Sequence, residues 1–373
     1  MKNNFTSRVI SGPFPGIFQG ASQYCTVKAV EFTAATGRDR RKRRRIMSKK
    51  DSSVSQDDIV QHSHDADGVD RRGFLKCMAW AGTGALCVIK GGVLSSYALG
   101  GDGKMHPSKM KGELSFVQIS DSHMGFNKAA NPDVAATLQV AIDRINALPT
   151  LPAFLLHTGD ISHLSKAAEF DTVDQMLKGA SAKDVFFVPG EHDVLTDNGK
   201  DYLDRYGKAS QGGGWYSFEK NGVHFIGLVN VLNLKAGGLG TLGPEQLEWL
   251  EKDVKRLKSS TPIVVFAHIP LWAVYPEWGW GTDDSEQALG YLKRFGSVTV
   301  LNGHIHQTMQ KVEGNITFHT ACSTAFPQPA PGKAPSPGPM TVEADRLRSI
   351  LGLTNVSYVQ GNHSLAIVDS SLA

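Results

Sequence analysis

Residues 114–123 read LSFVQISDSH, so that an apolar run ends directly in Asp121 and His123. A short apolar run followed by polar residues is typical of a buried strand and the loop after it. Runs of the same kind recur along the chain and predict further strands at residues 153–157, 184–188, 223–229, 262–267 and 297–301.

Amphipathic stretches lie between these strands. Apolar residues recur there with helical spacing, and they predict helices at residues 132–148, 167–177, 244–257 and 284–295. Residues 327–340 contain six prolines and are predicted to form an extended loop. Helix-like residues 341–351 and strand-like residues 364–368 follow that loop. Strands that alternate with helices predict a layered α/β fold with a largely buried sheet.

Polar clusters follow four more of the predicted strands. They read GD at residues 159–160, GEHD at 190–193, H at 268 and GHIH at 303–306. One such cluster alone is more often an ordinary polar group than a functional one. Because loops after the carboxyl ends of strands meet at one edge of a sheet, the five clusters together predict a single site. Crowded carboxylates and imidazoles are costly unless a cation holds them together.

The order of these clusters resembles the pattern of the calcineurin-like metallophosphoesterases. That pattern is D-x-H, G-D, G-N-H-[DE], a lone His and G-H-x-H, and the resemblance runs from residue 114 to the region after His306. It implies an αββα sandwich whose metal site lies at the C-terminal ends of the strands. It also implies that the protein is an enzyme that hydrolyses phosphate ester bonds.

The resemblance implies a role for each polar side chain. The ligands of one metal ion would be Asp121, His123, Asp160 and His306. Asp160 would bridge to a second ion, whose other ligands would be Glu191, His268 and His304. His192 would lie outside the metal ligands and protonate the leaving oxygen as the general acid.

This set of residues suits a particular chemistry. Two divalent cations would clamp the phosphate oxygens and lower the pKa of a water, so that hydroxide exists near neutral pH. Imidazole and carboxylate together suit Fe, Mn or Zn better than Ca or Mg. We therefore expect two metal ions as cofactors and hydrolysis of small phosphomonoesters or phosphodiesters, with nucleotides among the candidate substrates.

Two positions depart from the family pattern. Glu191 stands where the family has Asn, and a third anionic ligand beside Asp121 and Asp160 lowers the positive charge of the site unless one ion is trivalent iron. His163 stands where many relatives have an Asp that orients the general acid. Asp193 would take that role only if the backbone turns it inward. The alternative function is therefore a catalytically impaired module that binds a metal or a partner.

Four aromatic residues lie between residues 272 and 280, soon after His268. Trp272 and Tyr275 are predicted to contact the substrate, because an aromatic ring can stack on a base or an aryl group. An equally weighted interpretation is that the rings only close the loop over the edge of the sheet.

Residues 71–98 resemble a twin-arginine (Tat) export signal. Arg71 and Arg72 precede an apolar stretch rich in Ala and Gly, with a small-x-small cleavage site that ends at Ala98. The alternatives are a retained membrane helix, for which the uncharged run is short, and lipid attachment at Cys87. We expect the twin-arginine translocase as a transient partner, a periplasmic or secreted location, and no stable membrane anchor.

The two ends of the chain differ in charge. Residues 1–98 hold 16 Lys and Arg against 8 Asp and Glu, whereas residues 99–373 hold 23 against 28. Residues 1–70 are expected to be a disordered leader, of which residues 1–46 would be untranslated if Met47 is the start. The net acidic domain expected at residues 99–373 makes a nucleic-acid polymer an unfavourable partner.

Overall fold

The computed structural model describes residues 85–90, 93–99, 105–107, 113–359 and 365–373. The first three segments are strands β1 (Ala85–Lys90), β2 (Val93–Leu99) and β3 (Met105–Pro107), which pair in an antiparallel sheet in the order β1-β2-β3. Strands β1 and β2 overlap the expected export signal at residues 71–98. Its paired arginines and the expected leader lie outside the described residues.

Two larger sheets contain the other strands. The members of the first sheet are β4 (Glu113–Ile119), β5 (Leu155–His157), β6 (Val185–Phe187), β13 (Gly352–Val359) and β14 (Ala366–Ser371). Their order is β14-β13-β4-β5-β6. Strands β4, β5 and β6 are parallel, and β13 pairs antiparallel with both β4 and β14. The loops after β4, β5 and β6 therefore leave the sheet at the same edge.

The second sheet has six strands in the order β11-β12-β10-β9-β8-β7. They are β7 (Tyr216–Lys220), β8 (Val223–Gly227), β9 (Ile263–Phe266), β10 (Val298–Asn302), β11 (Gln310–Glu313) and β12 (Ile316–Thr320). Strands β8, β9, β10 and β12 are parallel, and the edge strands β7 and β11 are antiparallel to their neighbours. The loops after β9 and β10 again leave the sheet together.

Six α-helices lie in the described part of the chain. They are α1 (Val134–Asn146), α2 (Ala167–Leu177), α3 (Lys200–Tyr206), α4 (Pro244–Val254), α5 (Ser285–Leu292) and α6 (Ala344–Ile350). The N-terminal end of α1 is capped by Asp133, whose carboxylate accepts the N–H of Ala136. None of the described helices is both long and apolar enough to cross a lipid bilayer.

Side chains of β4 alternate between two cores, as the two-residue period of a strand requires. Val117 and Ile119 belong to a buried cluster that they share with apolar residues of α1 and α2. Phe116 points to the other side, where its ring meets Phe225 of β8 edge to face at 5.4 Å. A third cluster lies between the second sheet and helices α4 and α5. The fold is thus helix, sheet, sheet, helix, which confirms the predicted αββα sandwich.

Candidate metal centre

The loops after β4, β5, β6, β9 and β10 meet at one edge of the two sheets and bring the seven predicted metal ligands together. Three overlapping triplets connect them, and within each triplet the ligand atoms lie within 4.8 Å of one another. The triplets are Asp121 with His123 and His306, Asp121 with Asp160 and His268, and Glu191 with His268 and His304.

The backbone at five of these positions lies in the left-handed region. The φ angles are 53° at Asp121, 40° at His123, 50° at Asp160, 70° at His304 and 53° at His306. Such angles are uncommon outside glycine and cost roughly 1–3 kcal/mol each, and they cluster at functional sites. Among the described non-glycine residues, only Ser165, Asn198 and Asn221 share them.

Asp160 connects two groups of donor atoms. Its Oδ2 atom lies 3.4 Å from Nε2 of His123 and 3.4 Å from Nε2 of His268. On the His123 side, Nε2 of His306 lies 3.2 Å from Nε2 of His123 and 3.2 Å from Oδ1 of Asp121. One carboxylate oxygen of Asp160 is therefore shared between the two groups, as a bridging ligand would be.

Glu191 spans the two histidines of the other group. Its Oε1 atom lies 3.0 Å from Nδ1 of His304, and its Oε2 atom lies 3.0 Å from Nε2 of His268. The side chain is 23% exposed, whereas that of His268 is fully buried. The extra length of Glu relative to the family Asn is thus used to reach both imidazoles.

The spacing and the unsatisfied atoms fit a pair of metal ions. Ligand atoms about 2.1 Å from one ion lie roughly 3.0–3.4 Å from one another, which is the range measured within both groups. Glu191 Oε2, His268 Nε2 and both ring nitrogens of His304 are buried without a hydrogen-bonding partner. Because buried polar atoms rarely stay unpaired, these donors fit cations better than they fit one another.

Backbone carbonyls orient two of the ligand histidines. Nδ1 of His268 donates to the Thr158 carbonyl at 2.7 Å, and Nδ1 of His306 donates to the Phe326 carbonyl at 2.5 Å. Since a carbonyl only accepts, each Nδ1 carries a hydrogen, and each Nε2 faces the centre as the nitrogen that could bind a metal ion. This tautomer is the one that a metal ligand requires.

The protonation states of Glu191 and His123 also fit a metal centre. Burial raises the pKa of Glu191, but His304 and His268 lower it more, so that the pKa lies well below its usual range. Burial, with smaller contributions from nearby histidines, holds the pKa of His123 well below its usual range. At neutral pH the Glu191 carboxylate is therefore ionised and the His123 imidazole neutral, which are the forms that bind a cation. At His268, burial lowers the pKa but Asp160 and Glu191 raise it more, to well above its usual value, so a cation held by His268 would replace a proton on its Nε2.

His192 is held beside these ligands by its backbone and its ring. Its backbone N–H donates to Oδ1 of Asp160 at 2.9 Å, and its Nδ1 donates to the carbonyl oxygen of His163 at 2.7 Å. Burial lowers the pKa of His192, but Asp160 and Glu191 raise it more, so that it lies above its usual value. A raised pKa keeps the imidazole protonated to a higher pH, which suits the role of general acid.

Asp193 is buried and turned inward, but it does not orient His192. Its carboxylate accepts the backbone N–H groups of Gly190, Ile161 and Ser162 and the hydroxyl of Ser162. Asp193 therefore joins the loop after β5 to the loop after β6. The orienting role falls to the backbone carbonyl of His163, so the side chain at that position need not be the Asp of many relatives.

A cavity of about 430 Å³ opens beside the candidate ligands. His123, Asp160, Glu191, His192 and His304 line one part of it. The rest is lined mainly by apolar and aromatic residues of the loops that surround it, namely Phe126, Leu234, Trp278, Trp280, Phe326, Pro337 and Pro339. The volume lies within the usual range for a small-molecule site.

The structure corrects the choice of aromatic residues. Trp272 does not line this cavity; its ring packs on Phe318 with centroids 5.1 Å apart, and it lines a separate cavity of about 600 Å³. Tyr275 also lies outside the lining and packs edge to face on Trp278 at 5.1 Å. Trp278 and Trp280 line the cavity instead, because the chain turns tightly between residues 274 and 280.

Several residues that line the cavity are not predicted by the sequence. His163 and Lys128 come from loops near the metal ligands, whereas Phe326, Gln328 and residues 337–339 come from the proline-rich region. The sequence predicts only an extended loop for that region. The signal available in the sequence was the position of the prolines directly after residues 316–326, because a loop that follows a strand can reach the sheet edge at which the site forms.

The chain matches proteins of known family. The model of the family described as calcineurin-like phosphoesterase matches residues 114–308, more than half of the chain. A 3',5'-cyclic-nucleotide phosphodiesterase of Nostoc sp. is 24% identical over 219 residues, which cover 57% of this chain and 79% of that protein. A "Probable glycerophosphodiester phosphodiesterase GpdQ" of Arcobacter nitrofigilis is 26% identical over 230 residues, 56% of this chain and 77% of that protein.

Solved structures show the same fold. A dimetal phosphatase from Danio rerio superposes with a TM-score of 0.52 at 15% identity, over 70% of this chain and 96% of that chain. A purple acid phosphatase from yellow lupin (Lupinus luteus) seeds gives a TM-score of 0.50 at 13% identity, over 75% of this chain and 57% of that chain. With the family match over the region that contains all five polar clusters, the chain belongs to the calcineurin-like phosphoesterase family and is a phosphate ester hydrolase.

Proposed function

We propose that the protein hydrolyses small phosphodiesters or phosphomonoesters, nucleotides among them, with two ions of Fe, Mn or Zn. The observation that carries the proposal is the position of Asp160, whose Oδ2 atom lies 3.4 Å from a nitrogen of His123 and 3.4 Å from a nitrogen of His268. One buried oxygen thus joins two sets of ligand atoms, and each set has the spacing expected around one ion.

Each residue of the centre has a role in this proposal. Asp121, His123 and His306 would hold one ion, Glu191, His268 and His304 would hold the other, and Asp160 would be the ligand that they share. When bound, such ions polarise the phosphate oxygens and acidify a water. His192 delivers a proton to the leaving oxygen, and since its Nδ1 is tied to a carbonyl, Nε2 is the nitrogen that does so.

The alternative function, an impaired module that binds a metal or a partner, depends on Glu191. Its two oxygens lie 3.0 Å from ring nitrogens of two different histidines. A carboxylate so placed takes the ligand position of the family Asn without blocking the cavity, and this geometry favours the enzyme. Both of the relatives named above are phosphodiesterases, which makes diesters the first substrates to test.

The test is turnover by protein of known metal content. Purified protein loaded separately with Mn, Fe or Zn should hydrolyse an aryl phosphodiester or monoester, and metal analysis should find two ions per chain. Asp160→Asn should lose both ions and the activity together, because it removes the shared charge. A wild-type protein that contains two ions and turns over neither ester with any of the metals would overturn the proposal.

We also propose export by the twin-arginine route, on the strength of Arg71, Arg72 and the small residues that end at Ala98. Cleavage after Ala98 would remove β1 and nearly all of β2. Full-length protein should reach the periplasm or medium with Leu99 as its first residue. The double change of Arg71→Lys and Arg72→Lys should keep the protein inside the cell. The control change of Lys49→Arg and Lys50→Arg should leave export unchanged. Wild-type protein that stays inside the cell would contradict the proposed export.

A further inference from the structure

The cavity beside the metal centre has an apolar wall made by two loops. One is the aromatic hairpin, residues 274–280, which contributes Trp278 and Trp280. The other is the proline-rich loop, residues 327–340, which contributes Pro337, Gly338 and Pro339. The family match ends at residue 308, so the second loop belongs to the part of the chain beyond the matched region.

Both loops are fixed by their own hydrogen bonds. In the aromatic hairpin, the N–H groups of Val274 and Tyr275 donate to the Trp280 carbonyl at 2.8 and 3.1 Å. In the proline-rich loop, the Met340 N–H donates to the Pro327 carbonyl at 2.8 Å and closes the loop at its base. A wall that is rigid before binding loses less entropy when a ligand arrives.

The two loops also approach each other. A Cβ atom at Gly332 of the proline-rich loop would lie 3.4 Å from the hydroxyl oxygen of Tyr275 in the aromatic hairpin. The aromatic hairpin also packs closely against residues 237–238, because a Cβ atom at Gly279 would overlap the carbonyls of Gly237 and Gly238. Trp278, which is only partly buried, is therefore held between fixed neighbours with part of its surface open to the cavity.

The charges of the lining restrict what the wall can bind. Asp160 and Glu191 are the carboxylates of the described lining, and both lie among the candidate metal ligands. Outside these ligands, Lys128 adds a full positive charge to the lining, and the pKa of His192 is raised, which favours its charged form. Aromatic sites for quaternary ammonium groups depend on the attraction of a cation to the rings, and the lysine ammonium opposes a second cation. An uncharged flat ring meets no such repulsion and stacks on tryptophan.

We propose that Trp278 and the proline-rich loop select phosphate esters whose alcohol carries a planar, uncharged aromatic group, with that group stacked on Trp278. This specificity rests on the proposed phosphoesterase function of the same site. It assigns Trp278 as a specificity-determining residue, in place of Trp272 and Tyr275. Gly338 of the proline-rich loop also lines the cavity, and its added Cβ would meet no atom within 4 Å, so a longer side chain has space to extend there.

The experiment compares matched ligands by binding and by kinetics. Phenylphosphonate and methylphosphonate are titrated calorimetrically into metal-loaded protein, and KM and kcat are measured for a phenyl, an ethyl and a choline phosphodiester. The variants are Trp278→Ala, Trp278→Phe and Gly338→Leu. The control is Trp272→Ala, which removes a ring from the same stretch of chain but from the other cavity.

Wild-type protein should bind phenylphosphonate at least tenfold more tightly than methylphosphonate. Trp278→Ala should lower that preference about tenfold and raise KM for the phenyl diester with little change in kcat. The reason is that stacking on one aromatic ring contributes roughly a tenfold change in affinity. Trp278→Phe should keep most of the preference for phenylphosphonate. Gly338→Leu should weaken the binding of phenylphosphonate more than that of methylphosphonate. The control Trp272→Ala should keep the full preference.

Three results would overturn the specificity. They are equal loss for phenyl and methyl ligands in Trp278→Ala, no effect of Gly338→Leu on phenyl binding, and a larger loss for the choline diester than for the phenyl diester. Each of these is distinct from failure of the proposed function, in which none of the diesters is turned over by protein that contains both ions.

Discussion

Nδ1 of His192 donates to the backbone carbonyl of His163 at 2.7 Å, and the two imidazole rings stack with centroids 4.9 Å apart and planes 16° from parallel. The hydrogen bond fixes the tautomer of His192 through the backbone, so it does not depend on the side chain at position 163. The ring of His163 contributes packing, and its Nδ1 also lies 3.4 Å from Nδ1 of His123.

We therefore predict that replacing His192 and replacing His163 cause different losses of activity. His192→Ala should lower kcat by about 10²–10⁴-fold for an alkyl phosphodiester, which needs a proton on its leaving oxygen. The loss should be much smaller for a 4-nitrophenyl ester, whose leaving group departs as the anion. His163→Ala should cost less than tenfold with both esters, because the carbonyl remains. Steady-state kinetics on the two esters measure this, and an equal loss for both esters in His192→Ala would contradict the assignment of the acid.

Glu191 gives a second prediction, on metal content. Glu191→Asn restores the family residue but shortens the side chain, so that it can no longer reach the nitrogens of both His304 and His268. We expect this variant to lose about one ion per chain and at least tenfold in kcat/KM. Glu191→Gln keeps the length and should retain more metal than Glu191→Asn. Metal analysis after dialysis measures the ions, and an Asn variant more active than wild type would favour the impaired module.

The sequence predicted the layers and the ligand set because both depend on local patterns. Apolar runs mark β4, β5, β6, β8, β9 and β10, and each cluster of the site follows such a run. The edge strand β11 was missed because all four of its residues are exposed and three are polar. The partner of His192 was missed because a backbone carbonyl has no signature in the sequence. Trp278 could not be separated from Trp272 because a left-handed turn at Gly279, with φ of 73°, decides which ring faces the cavity.

A buried histidine away from the centre predicts how stability depends on pH. Nδ1 of His224 lies 2.5 Å from Glu219 Oε1, and its Nε2 lies 2.7 Å from Asp253 Oδ2. Burial lowers the pKa of His224, but Asp253 and Glu219 raise it more, so that it lies above the usual value. The stabilisation by the charged imidazole is therefore complete below about pH 6.5. It is lost as the pH rises through the raised pKa.

We expect His224→Gln to lower the free energy of unfolding by about 1–2 kcal/mol at pH 6, the scale of a hydrogen bond to a charged group whose partner Glu219 is largely exposed. The deficit should shrink at pH 9. Urea titrations at the two pH values measure it. Lys252→Gln, which breaks the exposed pair with Glu248, serves as the control and should change little at either pH. A deficit for His224→Gln that grows towards pH 9 would contradict the raised pKa.

Gly190 permits the close approach on which the metal centre depends. A Cβ atom at this position would overlap the backbone nitrogen and Oδ1 of Asp160, and the Gly190 N–H donates to Asp193 at 2.9 Å. Gly190→Ala must therefore displace Asp160, the ligand shared by both groups of donors. In α5, by contrast, an added Cβ at Gly290 meets no atom within 4 Å.

The two glycines thus predict opposite results for the same substitution. Gly190→Ala should lower the melting temperature of metal-loaded protein and remove most of the rise in melting temperature that metal produces in the wild type. Gly290→Ala should stabilise the protein by about 0.5–1 kcal/mol through helix propensity and leave the rise on metal binding intact. Thermal melts with and without a chelator measure both effects. A Gly190→Ala protein that gains as much from metal as the wild type would show that Asp160 keeps its ligand position despite the added methyl group.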